Sequence, residues 1–208
     1  MEPPKAEEAR HLTHAAFDII AIASSAGGLK ALIQVLSHLP TSFPAAIVVV
    51  QHIDPRHRSL MSEILSRRTP LQVKQAEEGD CLQGGVVYIA PPDYHLLVNP
   101  NGTLSLSQSE TVNFVRPSAD LLFNSVATSY KERSLAVVLT GTGRDGMMGV
   151  QAIKKMGGMV IAQDKPTSEF FGMPGAALET GAVDFVVSLV KIASVLEKLV
   201  IDRKHDEL

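Results

Sequence analysis

Tryptophan is absent from the 208 residues, and cysteine occurs once. The single thiol, Cys81, excludes an internal disulfide and fits a reducing compartment. With no charged helper beside it in sequence, Cys81 is expected to be a packing residue. No apolar run approaches the roughly 20 residues needed to span a bilayer. The opening MEPPKAEEARHLTH is charged where a signal peptide needs an apolar centre. The chain ends in His205-Asp206-Glu207-Leu208, which spells an ER-retention address, but with no leader to bring it there the match is a coincidence. A formal net charge of −3 excludes the strongly basic surface that nucleic acid or an anionic membrane attracts. There is no G-x-x-x-x-G-K-[ST] for a nucleotide phosphate, and no H-x-x-x-H or C-x-x-C spacing for a metal. Internal repeats and low-complexity tracts are missing as well. The apolar fraction, 45%, is ordinary and sufficient for a real core.

The organising stretch is 19–28, IIAIASSAGG, where an apolar run ends in small residues. After Gly27-Gly28, Leu29, Leu32, Ile33, Leu36 and Leu39 recur at helical spacing, which predicts strand, sharp turn and helix with Ser25 at the turn. Ala23-Ser24-Ser25-Ala26-Gly27 is small-x-Ser-x-small, one residue away from the G-x-S-x-G nucleophile elbow. Small neighbours let the backbone hold a hydroxyl out above the sheet edge. The helix that follows aims free N–H groups and a positive dipole end at whatever the hydroxyl attacks. A serine in such a turn equally serves as a helix cap or phosphate cradle, and Ser24 is a rival cap.

Further strands are expected over 46–51, 71–75, 86–90, 135–139, 159–163 and 182–187, the first at 17–23. The run AIVVVQ at 46–51 is β-branched throughout and reads as buried on both faces. Asn99-Pro-Asn-Gly102 between 95–98 and 103–106 signals a hairpin. Ser118 caps a predicted helix with Leu121, Leu122, Ser125 and Val126 facing inward. Other helices are expected to about residue 37 and over 59–67, to about 156, over 176–180 and over 188–199. This alternation predicts a doubly wound α/β domain: a mainly parallel sheet with helices on both faces and an antiparallel hairpin insertion. Its expected span is 15–201, between polar tails at 1–14 and 202–208.

In such sheets functional groups gather at the carboxyl ends of strands. Ser25 follows the first strand, His52 follows AIVVVQ, and Asp145 follows LAVVLT in a glycine-rich turn. Hydroxyl, imidazole and carboxylate are the parts of a nucleophilic triad. The order Ser…His…Asp differs from the Ser…Asp…His of α/β-hydrolases, which argues against a lipase of that fold but not against a triad. Each residue also has a structural role open to it. A histidine at a strand end is often a hydrogen-bonded structural residue, and Asp145 before Gly146 is a potential helix cap. Asp54, Asp93 and Asp164 are rival acids near strand ends.

Six segments then resemble one family in register: IASSAGGLKAL, VVVQHIDP, EEGDCLQGGVVYIAPPDYHLLV, VRPSADLLFNSVA, VLTGTGRDGMMG and IAQDKPTSEFFGMPGAALETGAVD. They are similar, from about residue 17 to 199, to the catalytic domain of the bacterial chemotaxis protein-glutamate methylesterase, CheB. The resemblance implies hydrolysis of glutamyl γ-methyl esters on cytoplasmic chemoreceptor helices, releasing methanol, and deamidation of selected glutamines. It implies Ser25 as nucleophile, His52 as general base and Asp145 as acid, with no cofactor and no metal. Both reactions are acyl transfers to water, with the oxyanion donors expected at the backbone N–H groups of Ala26 and Thr142.

The resemblance also has departures. The family has Gly-Ala before its serine where this chain has Ala23-Ser24, still small. The family's Gly-Met-Gly-Asn-Asp-Gly is here Gly141-Thr142-Gly143-Arg144-Asp145-Gly146, so Arg144 adds a charge beside the acid, biasing substrate choice or partly neutralising Asp145. About sixteen residues precede the first strand, too few for the receiver domain of the full family protein. Regulation is therefore expected from a separate protein, or not at all. Arg56, Arg58, Arg67 and Arg68 follow His52 and would meet acidic receptor helices, or form a solvated face. The expected location is the cytoplasm. The rival readings are a non-catalytic module docking a receptor or regulator, and a small-molecule esterase.

Overall fold

Two β-branched runs make the centre of the molecule. In the computed structural model, which describes residues 17–52 and 59–201, β1 (Ile19–Ser24) and β2 (Ala46–Gln51) are buried along their whole length and pair in parallel, Ile22 opposite Val49. Side chains leave the two strands alternately. Ile20, Ile22, Ile47 and Val49 enter one core, and Ile19, Ala21, Ala23, Val48 and Val50 the other. The expected tails at 1–14 and 202–208 lie outside the described residues, as do Asp54, Arg56 and Arg58.

Strands β3 (Gln72–Gln75) and β4 (Val86–Ile89) follow, then β5 (His95–Val98) and β6 (Leu104–Ser107), β7 (Ser134–Val138), β8 (Met159–Gln163) and β9 (Phe185–Val187). Seven of them form a parallel sheet in the order β3-β4-β2-β1-β7-β8-β9, while β5 and β6 pair antiparallel as a separate hairpin. The helices are α1 (Gly28–Leu36), α2 (Met61–Ser66), α3 (Ala119–Tyr130), α4 (Met147–Lys155), α5 (Gly172–Glu179) and α6 (Leu189–Ile201). One face of the sheet is covered by Leu32 and Val35 of α1, Leu65 of α2 and Leu196 of α6. The other is covered by Phe123 of α3, Ile153 of α4, Met173 of α5 and Leu96 of the hairpin. This is the expected doubly wound domain. Because α1 leaves β1 on one face and α4 leaves β7 on the other, a crevice opens at the carboxyl ends of these neighbouring strands.

Several local expectations differ. Helix α5 begins at Gly172 rather than 176, since Pro174 sits in its first turn, where the missing N–H is not needed. Strand β9 begins at Phe185. On α3, Phe123 is fully buried while Leu121 and Ser125 are half-buried. Cys81, expected to pack, is an exposed free thiol. Among the described residues no helix is long and apolar enough to cross a membrane.

Candidate active site

Only Ser25, Ala26 and Gly27 separate β1 from α1, and the backbone there is held from several sides. Ser25 N–H donates to the Thr140 carbonyl at 3.0 Å, and the Ser25 carbonyl accepts from Gly28 N–H at 2.8 Å and Gln51 Nε2 at 2.7 Å. Gln51 Nε2 also donates to the His52 carbonyl at 3.0 Å, and its Oε1 accepts from Ser24 Oγ at 2.6 Å. Ser24 is therefore a buried brace rather than a cap. The cap position is Gly27, at φ 78° and with no side-chain bond. A Cβ on Gly28 would lie 2.0 Å from Gln51 Oε1, so only glycine leaves room for this brace. Against it, the half-buried Ser25 Oγ makes no hydrogen bond with any described residue.

The acid lies on the adjacent strand end. Asp145 is 4% exposed and accepts four hydrogen bonds: His52 Nε2 at 2.8 Å, Ser118 Oγ at 2.9 Å, and the N–H groups of Ala119 at 2.6 Å and Asp120 at 3.2 Å. The last three belong to the N-terminus of α3, whose cap is Ser118. Asp145 is thus no cap of its own helix, where Gly146 at φ 98° holds that position; it caps α3 from across the domain. Burial alone would raise its carboxyl, but the His52 hydrogen bond and the α3 amides outweigh burial and hold it below the ordinary carboxylate range. Gly141, Gly143 and Gly146 also have G-x-G-x-x-G spacing between a strand and a helix. A buried carboxylate in that turn repels the phosphate such a turn would otherwise cradle.

His52 connects the two ends. Its N–H donates to the Ser24 carbonyl at 3.0 Å, and its ring is largely buried against Asp145. With Nε2 on Asp145, Nδ1 is the nitrogen left to exchange a proton. A Cβ on Gly141 would lie 2.9 Å from Ser25 Cβ, so the acid loop packs directly on the serine. The N–H groups of Ala26 and Thr142 donate to no described residue. Arg144 does not neutralise the acid: it pairs with Glu179 at 2.7 Å, both side chains over half exposed. Of the rival acids, Asp93 pairs with Arg116 at 2.6 Å and Asp164 accepts from Thr167 N–H at 3.1 Å. Arg67 and Arg68 are exposed after α2. A cavity of about 670 Å³ beside the acid loop is lined by Gly143, Arg144, Phe171 and Glu179, and does not include Ser25 or His52. Among the described residues no group of three or more His, Cys, Asp or Glu could hold a metal ion.

Two buried residues have no signal in the sequence. His95 is fully buried; its Nδ1 accepts from Ser118 N–H at 3.1 Å and its Nε2 donates to the Glu110 carbonyl at 3.0 Å, which fixes the cap that holds Asp145. Asp120 is 4% exposed and accepts from Asn113 Nδ2 at 3.0 Å and Gly149 N–H at 2.8 Å. Burial raises its carboxyl and nearby Asp145 adds to this, with Gly149 opposing. Each partner is remote in sequence, which is why neither network could be read from it.

The fold and the site define the class: a parallel α/β domain in which the His52 imidazole and the Asp145 carboxylate are hydrogen-bonded, while the Ser25 hydroxyl, at the neighbouring strand end, bonds to neither. Residues 20–196 match the family model CheB methylesterase, and the chain belongs to that family. It is 42% identical over 183 residues to a Leptospira interrogans protein provisionally named protein-glutamate methylesterase/protein-glutamine glutaminase, covering 88% of this chain and 95% of the other. Proteins of that name from Thermotoga maritima and Pyrococcus abyssi are 43% and 41% identical over 88% and 87% of this chain. The chain spans about half the length of these two, 54% and 50%. The crystal structure of the Thermotoga maritima CheB methylesterase catalytic domain superposes with a TM-score of 0.85 at 41% identity, covering 88% of this chain and 98% of that one.

Proposed function

We propose that this chain is a protein-glutamate methylesterase and protein-glutamine deamidase that works through Ser25, His52 and Asp145. Ser25 Oγ attacks the side-chain carbonyl as His52 Nδ1 takes its proton. The imidazolium returns that proton to the leaving methanol or ammonia, and the acyl group stays on Ser25. His52 then takes a proton from water as it attacks the acyl-enzyme, and returns that proton to Ser25 Oγ as the C–O bond to serine breaks, leaving a glutamyl carboxylate on the receptor. Asp145 remains ionised throughout and stabilises the imidazolium. The N–H groups of Ala26 and Thr142 receive the oxyanion; one such donor is commonly worth about 10²–10³ in rate. The scheme needs no cofactor.

The observation that carries this reading is the 2.8 Å bond from His52 Nε2 to a carboxylate that the α3 N-terminus keeps ionised. The proposed partners are methylated chemoreceptor cytoplasmic helices, met in the cytoplasm. The test is methanol release from methylated receptor by wild type and Ser25→Ala side by side. Release by the wild type alone is expected, with a fluorophosphonate labelling Ser25. Equal release by the variant would sink the assignment, and absence of labelling would favour a non-catalytic docking module.

A further inference from the structure

Phe114 is 99% exposed, and its backbone lies in the left-handed region at φ 64°, after Asn113 at φ 51°. The two form the tip of a turn closed by reciprocal bonds between Val112 and Val115, at 3.2 and 3.0 Å. Such a backbone suits asparagine and glycine but strains phenylalanine. The ring gains no packing in return.

The turn is firmly mounted. Asn113 Nδ2 donates to Asp120 Oδ2 at 3.0 Å, and Arg116 reaches Asp93 and the carbonyls of Gln108 and Ser109. Asp120 N–H in turn donates to Asp145 Oδ1 at 3.2 Å, so the turn is two hydrogen bonds from the proposed acid. Met148, 60% exposed, precedes Gly149, whose N–H donates to the same Asp120 carboxylate at 2.8 Å. A strained turn thus holds an aromatic ring in water, joined through Asp120 to Asp145 and to the helix that carries the exposed Met148.

We propose that Phe114, together with Met148, is a specificity-determining contact that receives the apolar face of the helix bearing the scissile glutamyl group. This rests on the protein-esterase reading above. On a helix, the residues three and four positions from the attacked one lie about 5–6 Å from it, so the rim must meet them. An apolar rim selects apolar neighbours there over charged ones.

The chain has no tryptophan, so Phe114→Trp introduces the sole indole. In a Ser25→Ala background, a methylated receptor cytoplasmic fragment should shift its emission to the blue and saturate. Phe114→Gly should weaken fragment binding, and raise KM in the Ser25 enzyme, about tenfold, with Phe114→Leu recovering most of the loss. Its thermal midpoint should not fall, since glycine relieves the backbone. Val190→Ala, at a 66% exposed site on the opposite face, should leave KM unchanged. Methanol release with unshifted emission, or an unaltered KM in Phe114→Gly, overturns this inference alone. No methanol release by the wild type overturns the reading beneath it.

Discussion

Ser25 and Asp145 stand on adjacent strand ends and are held in opposite ways. The Asp145 carboxylate accepts four hydrogen bonds in a buried socket, whereas the Ser25 hydroxyl makes none with the described residues. The serine is fixed through its backbone instead, by Thr140, Gly28 and Gln51. The acid is therefore tied into the fold through α3, while the serine is tied in through its backbone alone. This is the arrangement that the proposed nucleophile requires: a free hydroxyl on a fixed backbone.

The sharpest way to break this contrast is Ser25→Ala. It should lower methanol release by about 10⁶ and leave the thermal midpoint where it was; a falling midpoint would show the hydroxyl to be structural. Asp145→Asn should lose on both counts, about 10⁴ in kcat and about 2–3 kcal/mol in denaturant unfolding, because the α3 donors lose an ionised acceptor. Gly28→Ala forces Gln51 off its brace and should cost about 10² in kcat through a displaced Ser25, with KM nearly constant. Ser118→Ala removes both a cap and one Asp145 bond, and should cost about 1 kcal/mol of stability.

The pH dependence sharpens the same comparison. Asp145 binds its proton more weakly folded than unfolded, so its stabilisation is complete above the ordinary carboxylate value of about 4 and fades as pH falls through its own lower value. The stability difference between wild type and Asp145→Asn should therefore narrow on acidification below about pH 4. For Ser25→Ala no such narrowing is expected. A difference for Asp145→Asn that stays constant into acid would contradict the socket described here.

Much of the architecture was legible because the central strands are apolar on both faces and their ends carry abrupt small-residue turns. AIVVVQ has no other comfortable state, and its predicted span coincides with β2. The start of α5 is not legible, because Gly172-Met-Pro174 reads locally as a loop. What makes it helical is tertiary: Gly172 lies against the backbone of Gly141 and Gly143, where a Cβ would come within 3.0 Å. The three proposed site residues were legible as strand-end groups, but the socket was not. Asp145 is seated by a helix that begins at Ala119, and His95 reaches that cap from a third element, relations with no local trace. The exposure of Cys81 has no local trace for a similar reason: its neighbours predict no charge partner, and nothing in them shows that the β-bridge to Thr103 leaves the thiol outside.

The strand order places residues 52, 25 and 145 on the consecutive ladders β2, β1 and β7, although the chain between β2 and β7 wanders to one edge and back. A polypeptide cut between β6 and α3 would leave serine and histidine on one fragment and aspartate, with its socket, on the other. Neither piece alone would release methanol; mixing them would restore turnover only as the β1–β7 seam closes. Turnover by such a split protein would therefore report the docking of its two halves.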